Sequence, residues 1–99
     1  MATEVITFEQ VVSRGCGLDV HKETVVATIK GEGIVETTRT FQTFTSSLTD
    51  LHDWLKAHQV THVAMESTGI YWKPVYSVLE ESFEILLVNA RHIKNVPGH

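Results

Sequence analysis

The stretch Gly17-Leu18-Asp19-Val20-His21-Lys22 carries an apolar run into a carboxylate, and a later run, His62-Val63-Ala64-Met65-Glu66, ends in another. Both runs have the apolar, partly β-branched composition of buried strands. A strand spends its length burying side chains, so an acid at its end lies where the sheet edge meets solvent. There it is free to hold a hard cation through oxygen. Two acids so placed predict a metal site of the kind that phosphoryl-transfer nucleases use.

Working outward from these runs, the chain reads as alternating strands and helices. Cys16 to Val20 and Thr24 to Ile29 are apolar, and the break at His21-Lys22-Glu23 is short enough for a hairpin with Asp19 near its turn. Gly31-Glu32-Gly33 makes a second turn, and Ile34 to Phe41 alternates in the manner of a third antiparallel strand. Leu48, Leu51 and Leu55 recur at helical spacing after the hydroxyls of Thr45-Ser46-Ser47, which predicts an N-capped helix ending near His58. A strand over Thr61 to Glu66 follows. A second helix opens near Trp72 with Pro74 in its first turn, where a missing N–H costs nothing, and with Tyr71, Val75, Val78 and Leu79 on one face. Phe83 to Val88 is the fifth strand, Ala90 to Asn95 reads as a helical turn, and Pro97-Gly98 breaks it. The order βββαβαβ predicts an α/β fold, with a meander joined by crossovers to strands parallel to the first. Asp19 and Glu66 would then leave adjacent parallel strands about 4.8 Å apart.

The chain has 99 residues, 42% of them apolar, enough for one core and not for two. No apolar run approaches the roughly 20 residues of a membrane span, and a basic-then-apolar leader is lacking, so a cytoplasmic protein without a membrane partner is expected. The lone Cys16 lies in an apolar strand and is expected to act as a small buried hydrophobe. Net charge is −4 and the isoelectric point is near 5.8, which argues against nucleic-acid binding by phosphate neutralisation alone. Carboxylates that hold cations make a centre acidic until the cations arrive, so this charge does not exclude a nuclease-like site.

Three blocks carry a resemblance: the run through Asp19; Glu66 followed by Ser67-Thr68-Gly69-Ile70-Tyr71-Trp72-Lys73-Pro74; and Leu86 through Arg91, His92 and Lys94 to Pro97-Gly98. In this order they resemble the N-terminal, RuvC-like domain of the DEDD-type insertion-sequence transposases, a group related to pilin-gene invertases. The resemblance spans residues 15–99 and leaves 1–14 as an N-terminal tail. It implies a ribonuclease H-like mixed five-stranded sheet, with Asp19 and Glu66 as the first two catalytic acids and Mg²⁺ or Mn²⁺ as the cofactor. The family's third and fourth acids form an Asp-x-x-Asp pair on a helix beyond the Pro-Gly turn. This sequence stops at His99 before such a pair, so the resemblance implies a fragment that binds metal loosely and is inactive alone. It further implies DNA as substrate and a guiding noncoding RNA in the full protein, and a sheet face left partly bare by the absent helix would expose an apolar patch that favours a homo-oligomer.

Around the acids, His21 and Lys22 would steady a scissile phosphate or simply cap the hairpin. Ser67, Thr68 and Gly69 lie between strand and helix, where backbone N–H groups favour an anion, and a plain N-cap reads equally well. Arg91, His92 and Lys94 form a basic cluster for nucleic acid or a solvated turn. Trp54, Tyr71, Trp72 and Tyr76 have ring faces for bases, but their helical spacing favours the core. His52 and His58, six apart, do not share a helix face and make a poor zinc pair. Two other functions fit a sheet of this order. One is an actin-like or sugar-kinase-type ATPase half, opposed by bulky Val20, His21 and Lys22 where a phosphate loop wants Gly and Thr. The other is a non-catalytic interaction module.

Overall fold

The computed structural model describes residues 14–67 and 69–89. They form β1 (Arg14–Val20), β2 (Thr24–Gly31), β3 (Thr37–Gln42), α1 (Thr45–Ala57), β4 (His62–Ser67), α2 (Trp72–Leu79) and β5 (Glu84–Asn89). The order is the one expected. Arg14, assigned to the tail by the sequence, opens β1, and its guanidinium donates to the His58 carbonyl at 3.0 Å beyond the end of α1.

The sheet runs β3-β2-β1-β4-β5. β1 pairs antiparallel with β2 and parallel with β4, β2 pairs antiparallel with β3, and β5 extends β4 in parallel. The β1–β2 turn is tight, with the His21 N–H donating to the Thr24 carbonyl at 2.8 Å. β3 is shorter than its alternating residues suggest. Its pairing with β2 begins only at Thr37, opposite Ile29. The preceding residues leave the ladder after Gly33, at φ 76°, and the Thr37 hydroxyl donates to the Val35 carbonyl, which turns Ile34 to Glu36 away from β2. The fifth strand likewise starts one residue later than expected, because Phe83 turns into the core and donates its N–H to the Leu79 carbonyl.

Side-chain alternation sorts the sheet into two faces. Cys16, Leu18 and Val20, Val25, Ala27 and Ile29, and Val63 and Met65 point to one side and are buried with Leu48, Leu51 and Leu55 of α1 and Val75 and Leu79 of α2. Each buried Val, Leu, Ile or Met among them contributes about 1.5–3 kcal/mol. On the other side lie Gly17, Asp19, Val26, Thr28, Ala64, Glu66, Leu86 and Val88, and no described helix covers them. Parallel strands are usually covered on both faces. Here the second face is open, and Leu86 is 57% exposed.

The helix ends depart from the sequence in two places. The N-cap of α1 is Phe44, in an extended conformation, not one of the hydroxyl residues that follow it. Ser47 instead accepts the Gln42 N–H at 2.9 Å, and the Thr49 hydroxyl donates to the Thr45 carbonyl, so these hydroxyls serve the β3–α1 turn and the helix wall. At the other end Gln59, at φ 60°, closes a Schellman motif, with Gln59 N–H to the Lys56 carbonyl and Val60 N–H to the Leu55 carbonyl. In α2 the buried stripe is Val75 and Leu79 with Trp72, Tyr76 and Val78 beside it. Tyr71, expected on that face, is the N-cap and is 39% exposed. The expected turn over Ala90 to Asn95 lies outside the described residues. Among the described residues no helix is long and apolar enough to cross a membrane.

Candidate functional site

Asp19 and Glu66 are direct register partners across the parallel β1–β4 ladder, each one residue from the end of its strand. Partners in register share a face, and this face is the uncovered one. Their neighbours across the outer ladders are Val26 and Val88, so the acids sit between two aliphatic walls at the carboxyl ends of the parallel strands. Below them the centre of the face is floored by Gly15, Gly17 and Ala64, and an open trough runs from the acids along this floor. The pairing expected from the two apolar runs is therefore present.

The Asp19 side chain is 54% exposed and its Oδ2 lies 3.2 Å from Nε2 of His21, which is 51% exposed. The tight turn curls His21 back over the carboxylate two residues before it. Lys22 and Glu23 are exposed on the same turn, and the Lys22 carbonyl accepts the Thr43 hydroxyl at 3.1 Å, tying the turn to the β3–α1 connection. Ser67 ends β4 half-buried, and Gly69, at φ 72°, makes the bend into α2 with the Lys73 N–H donating to the Ile70 carbonyl. Asp19, His21, Lys22, Glu66 and Ser67 thus share one end of the sheet. Thr68, Arg91, His92 and Lys94 lie outside the described residues. Among the described residues no group of three or more His, Cys, Asp or Glu side chains is arranged to hold a metal ion.

Two histidines have structural partners instead. His52 Nε2 lies 2.8 Å from the Ser82 hydroxyl, and His58 Nδ1 lies 2.9 Å from the Trp54 carbonyl. Cys16 is buried, and loss of solvent pushes its thiol from 9.0 up to about 12, partly opposed by a backbone hydrogen bond from Thr28. It is inert as a nucleophile at neutral pH. The sequence did not single out Phe44 and Ile70, 61% and 68% exposed. Both flank the acid-bearing end, and the signal for Phe44 was an aromatic residue directly before the hydroxyls expected to cap α1.

The element order and sheet topology are those of an α/β domain with a RuvC-like, ribonuclease H-like fold. The structure of Thermus thermophilus (T. thermophilus) RuvC in complex with a Holliday junction substrate aligns with a TM-score of 0.54 and 11% identity, over 84% of this chain and 68% of that one. The Aquifex aeolicus member of the Ppx/GppA protein family aligns at a TM-score of 0.47 and 13% identity, and the 81% of this chain that is covered spans only 36% of that protein. A search of curated proteins gave no significant match. The profile of a transposase family, the DEDD transposases of the IS110 type, matches residues 16–99. The chain belongs to this DEDD transposase family.

Proposed function

We propose that Asp19 and Glu66 are metal-binding catalytic residues of a transposase that carries out phosphoryl transfer on DNA. The observation that carries this is the register pairing of the two acids on the open face, in a chain of a transposase family. The donor set fits a hard divalent cation: two carboxylates on neighbouring strands, with the Asp19 side chain open to solvent. Bound there, Mg²⁺ or Mn²⁺ would polarise the scissile phosphate and favour ionisation of an attacking water. The surrounding residues have separate tasks. His21 holds the Asp19 carboxylate in place, and Lys22 offers a cation to the phosphate backbone from the adjacent turn. Ser67 follows Glu66 at the same end of β4, with its side chain alternating to the helix-covered side, and Thr68, Arg91, His92 and Lys94 are the further sequence positions proposed to meet nucleic acid, the basic ones offsetting a net charge of −4.

Two carboxylates leave Mg²⁺ most of its water, because this ion dehydrates reluctantly. The 99-residue chain alone therefore binds metal weakly and is catalytically silent, and the full reaction draws on further acids, a guiding RNA and a second copy of the protein. The test is calorimetric titration with Mn²⁺, read beside incubation with branched DNA. Weak binding that vanishes in Asp19→Ala and in Glu66→Ala, without cleavage, is expected. Binding unchanged in either variant overturns the site, and cleavage by the wild-type chain overturns its silence.

A further inference from the structure

Phe44 and Tyr71 are the N-cap residues of α1 and α2, and neither cap makes a side-chain hydrogen bond. Ser, Thr, Asp and Asn are the residues preferred there, because their oxygen satisfies an N–H that the helix leaves open. An aromatic ring forgoes that bond, and both rings are instead held out to solvent, Phe44 at 61% and Tyr71 at 39% exposure. Phe44 has the extended backbone of a cap while Tyr71 is already right-handed (φ −66°, ψ −15°), so the rule is broken outright at α1 and only loosely at α2, and the place of both starts is fixed by the topology. β3 ends at Gln42 opposite Thr24, beside the β1–β2 turn, so α1 starts at that end. α2 follows β4 at its Glu66 end. Both uncapped, aromatic helix starts therefore lie at the end of the sheet that carries Asp19 and Glu66. Local rules are most often broken where function competes with stability.

Lysines lie on the same segments. The Lys22 carbonyl is tied to the Phe44 segment by the Thr43 hydroxyl, and Lys73 follows Tyr71 by two residues with its ammonium 6.0 Å from the Trp72 ring. Exposed rings interleaved with lysines form a platform for unpaired bases, since every base has a stackable face and its strand carries phosphate. The other aromatic side chains at this end do not qualify: Trp72 packs edge-on against Tyr76 at 5.8 Å over the core. We propose that Phe44 and Tyr71 stack on unpaired bases of a DNA strand whose phosphate is held at Asp19 and Glu66. The inference rests on the function proposed above. It adds a substrate class, DNA with unpaired bases next to the reacting phosphate, and it gives the sequence-independent part of recognition to two rings rather than to net positive charge.

The experiment uses the 99-residue chain with a forked DNA, a fully paired duplex and an RNA strand, each followed by fluorescence anisotropy. The forked DNA also carries 5-iodouracil for photocrosslinking mapped by mass spectrometry. Phe44→Ala and Tyr71→Ala are expected each to weaken forked-DNA binding about tenfold or more, in the range that loss of one stacked base implies, with duplex binding within about twofold. Crosslinks should map to Phe44 or Tyr71, and Tyr71→Phe should bind as the wild type does. Phe44→Ser gives a readout that a merely structural role would not: it supplies the missing cap, so it should raise the melting temperature while still weakening forked-DNA binding. Equal losses on fork and duplex, crosslinks confined to other residues, or tighter binding of RNA than of the fork would overturn the inference. Absence of any DNA affinity in the wild-type chain would overturn it together with the underlying function. Intact affinity that ignores both rings would overturn the inference alone.

Discussion

The same strands build two faces of opposite character. On the helix-covered face β1 offers Cys16, Leu18 and Val20, all at most 2% exposed, while on the open face it offers the buried Gly15 and then Gly17 and Asp19, both exposed. β4 repeats the contrast, with Val63 and Met65 buried and Ala64 and Glu66 half-buried. Residues on the first face are chosen by packing, and volume changes there are felt at once. Those on the second are free of that demand, and small floor residues and two acids stand there. A period-two strand lets one segment meet both requirements without compromise.

The contrast breaks most easily at the covered face. Leu51 is fully buried at the middle of α1, and Leu51→Ala should destabilise the domain by about 2–5 kcal/mol in urea unfolding, the usual cost of a lost core leucine. An effect under about 0.5 kcal/mol, the size typical of a surface change, would erase the distinction between the faces.

Cys16 tests the same face through pH. Its folded thiol titrates near 12 against 9.0 for the free group, so the folded state holds the proton longer than the unfolded chain does. This contribution is therefore intact below pH 9 and is lost as pH rises from 9 toward 12, at a slope of up to about 1.4 kcal/mol per pH unit. Unfolding measured from pH 8 to 11 should fall more steeply for the wild type than for Cys16→Ala. Parallel pH profiles would show that the thiol is not shielded.

The open face should answer in the other direction. A Cβ added at Gly17 meets nothing within 4 Å, and its backbone is not left-handed. Gly17→Ala is accordingly expected to stabilise by about 0.4–1 kcal/mol, because it restricts the unfolded chain at no cost to the folded one. A loss of more than 1 kcal/mol would mean that this face is covered in solution.

The smallest effect on stability is expected at the acids. Asp19→Asn and Glu66→Gln should change unfolding free energy by no more than about 0.5 kcal/mol without metal. With Mn²⁺ at ten times its dissociation constant, the wild type should gain about 1.4 kcal/mol and the variants nothing. An equal gain in all three proteins would place the cation elsewhere.

Much of this was legible in the sequence because it rests on period-two patterns. The apolar alternation of β1 and β4 fixes which residues share a face, and a one-residue slip would have buried Asp19 and Glu66. The role proposed for them comes from the resemblance to transposases, since alternation carries no chemistry. What escaped was decided by local hydrogen bonding. Thr45, Ser46 and Ser47 look like caps, but the Ser47 hydroxyl is engaged by Gln42 and the cap falls on Phe44. Ile34 to Glu36 alternate like a strand, yet they leave the ladder at the Gly33 turn. Tyr71 fits the apolar stripe of α2 by spacing, but as the cap residue it lies outside the packed turns.

The two neighbours of β1 reach it by different routes. β2 arrives through a tight turn, whereas β4 arrives only after β3 and α1 have been traversed. A chain emerging from the ribosome can therefore complete its meander while Asp19 still lacks Glu66. The carboxylate pair comes into being when the crossover closes, the slowest kind of contact to form. A nascent chain thus presents a single acid, and the proposed metal-binding pair exists only in one that has finished folding.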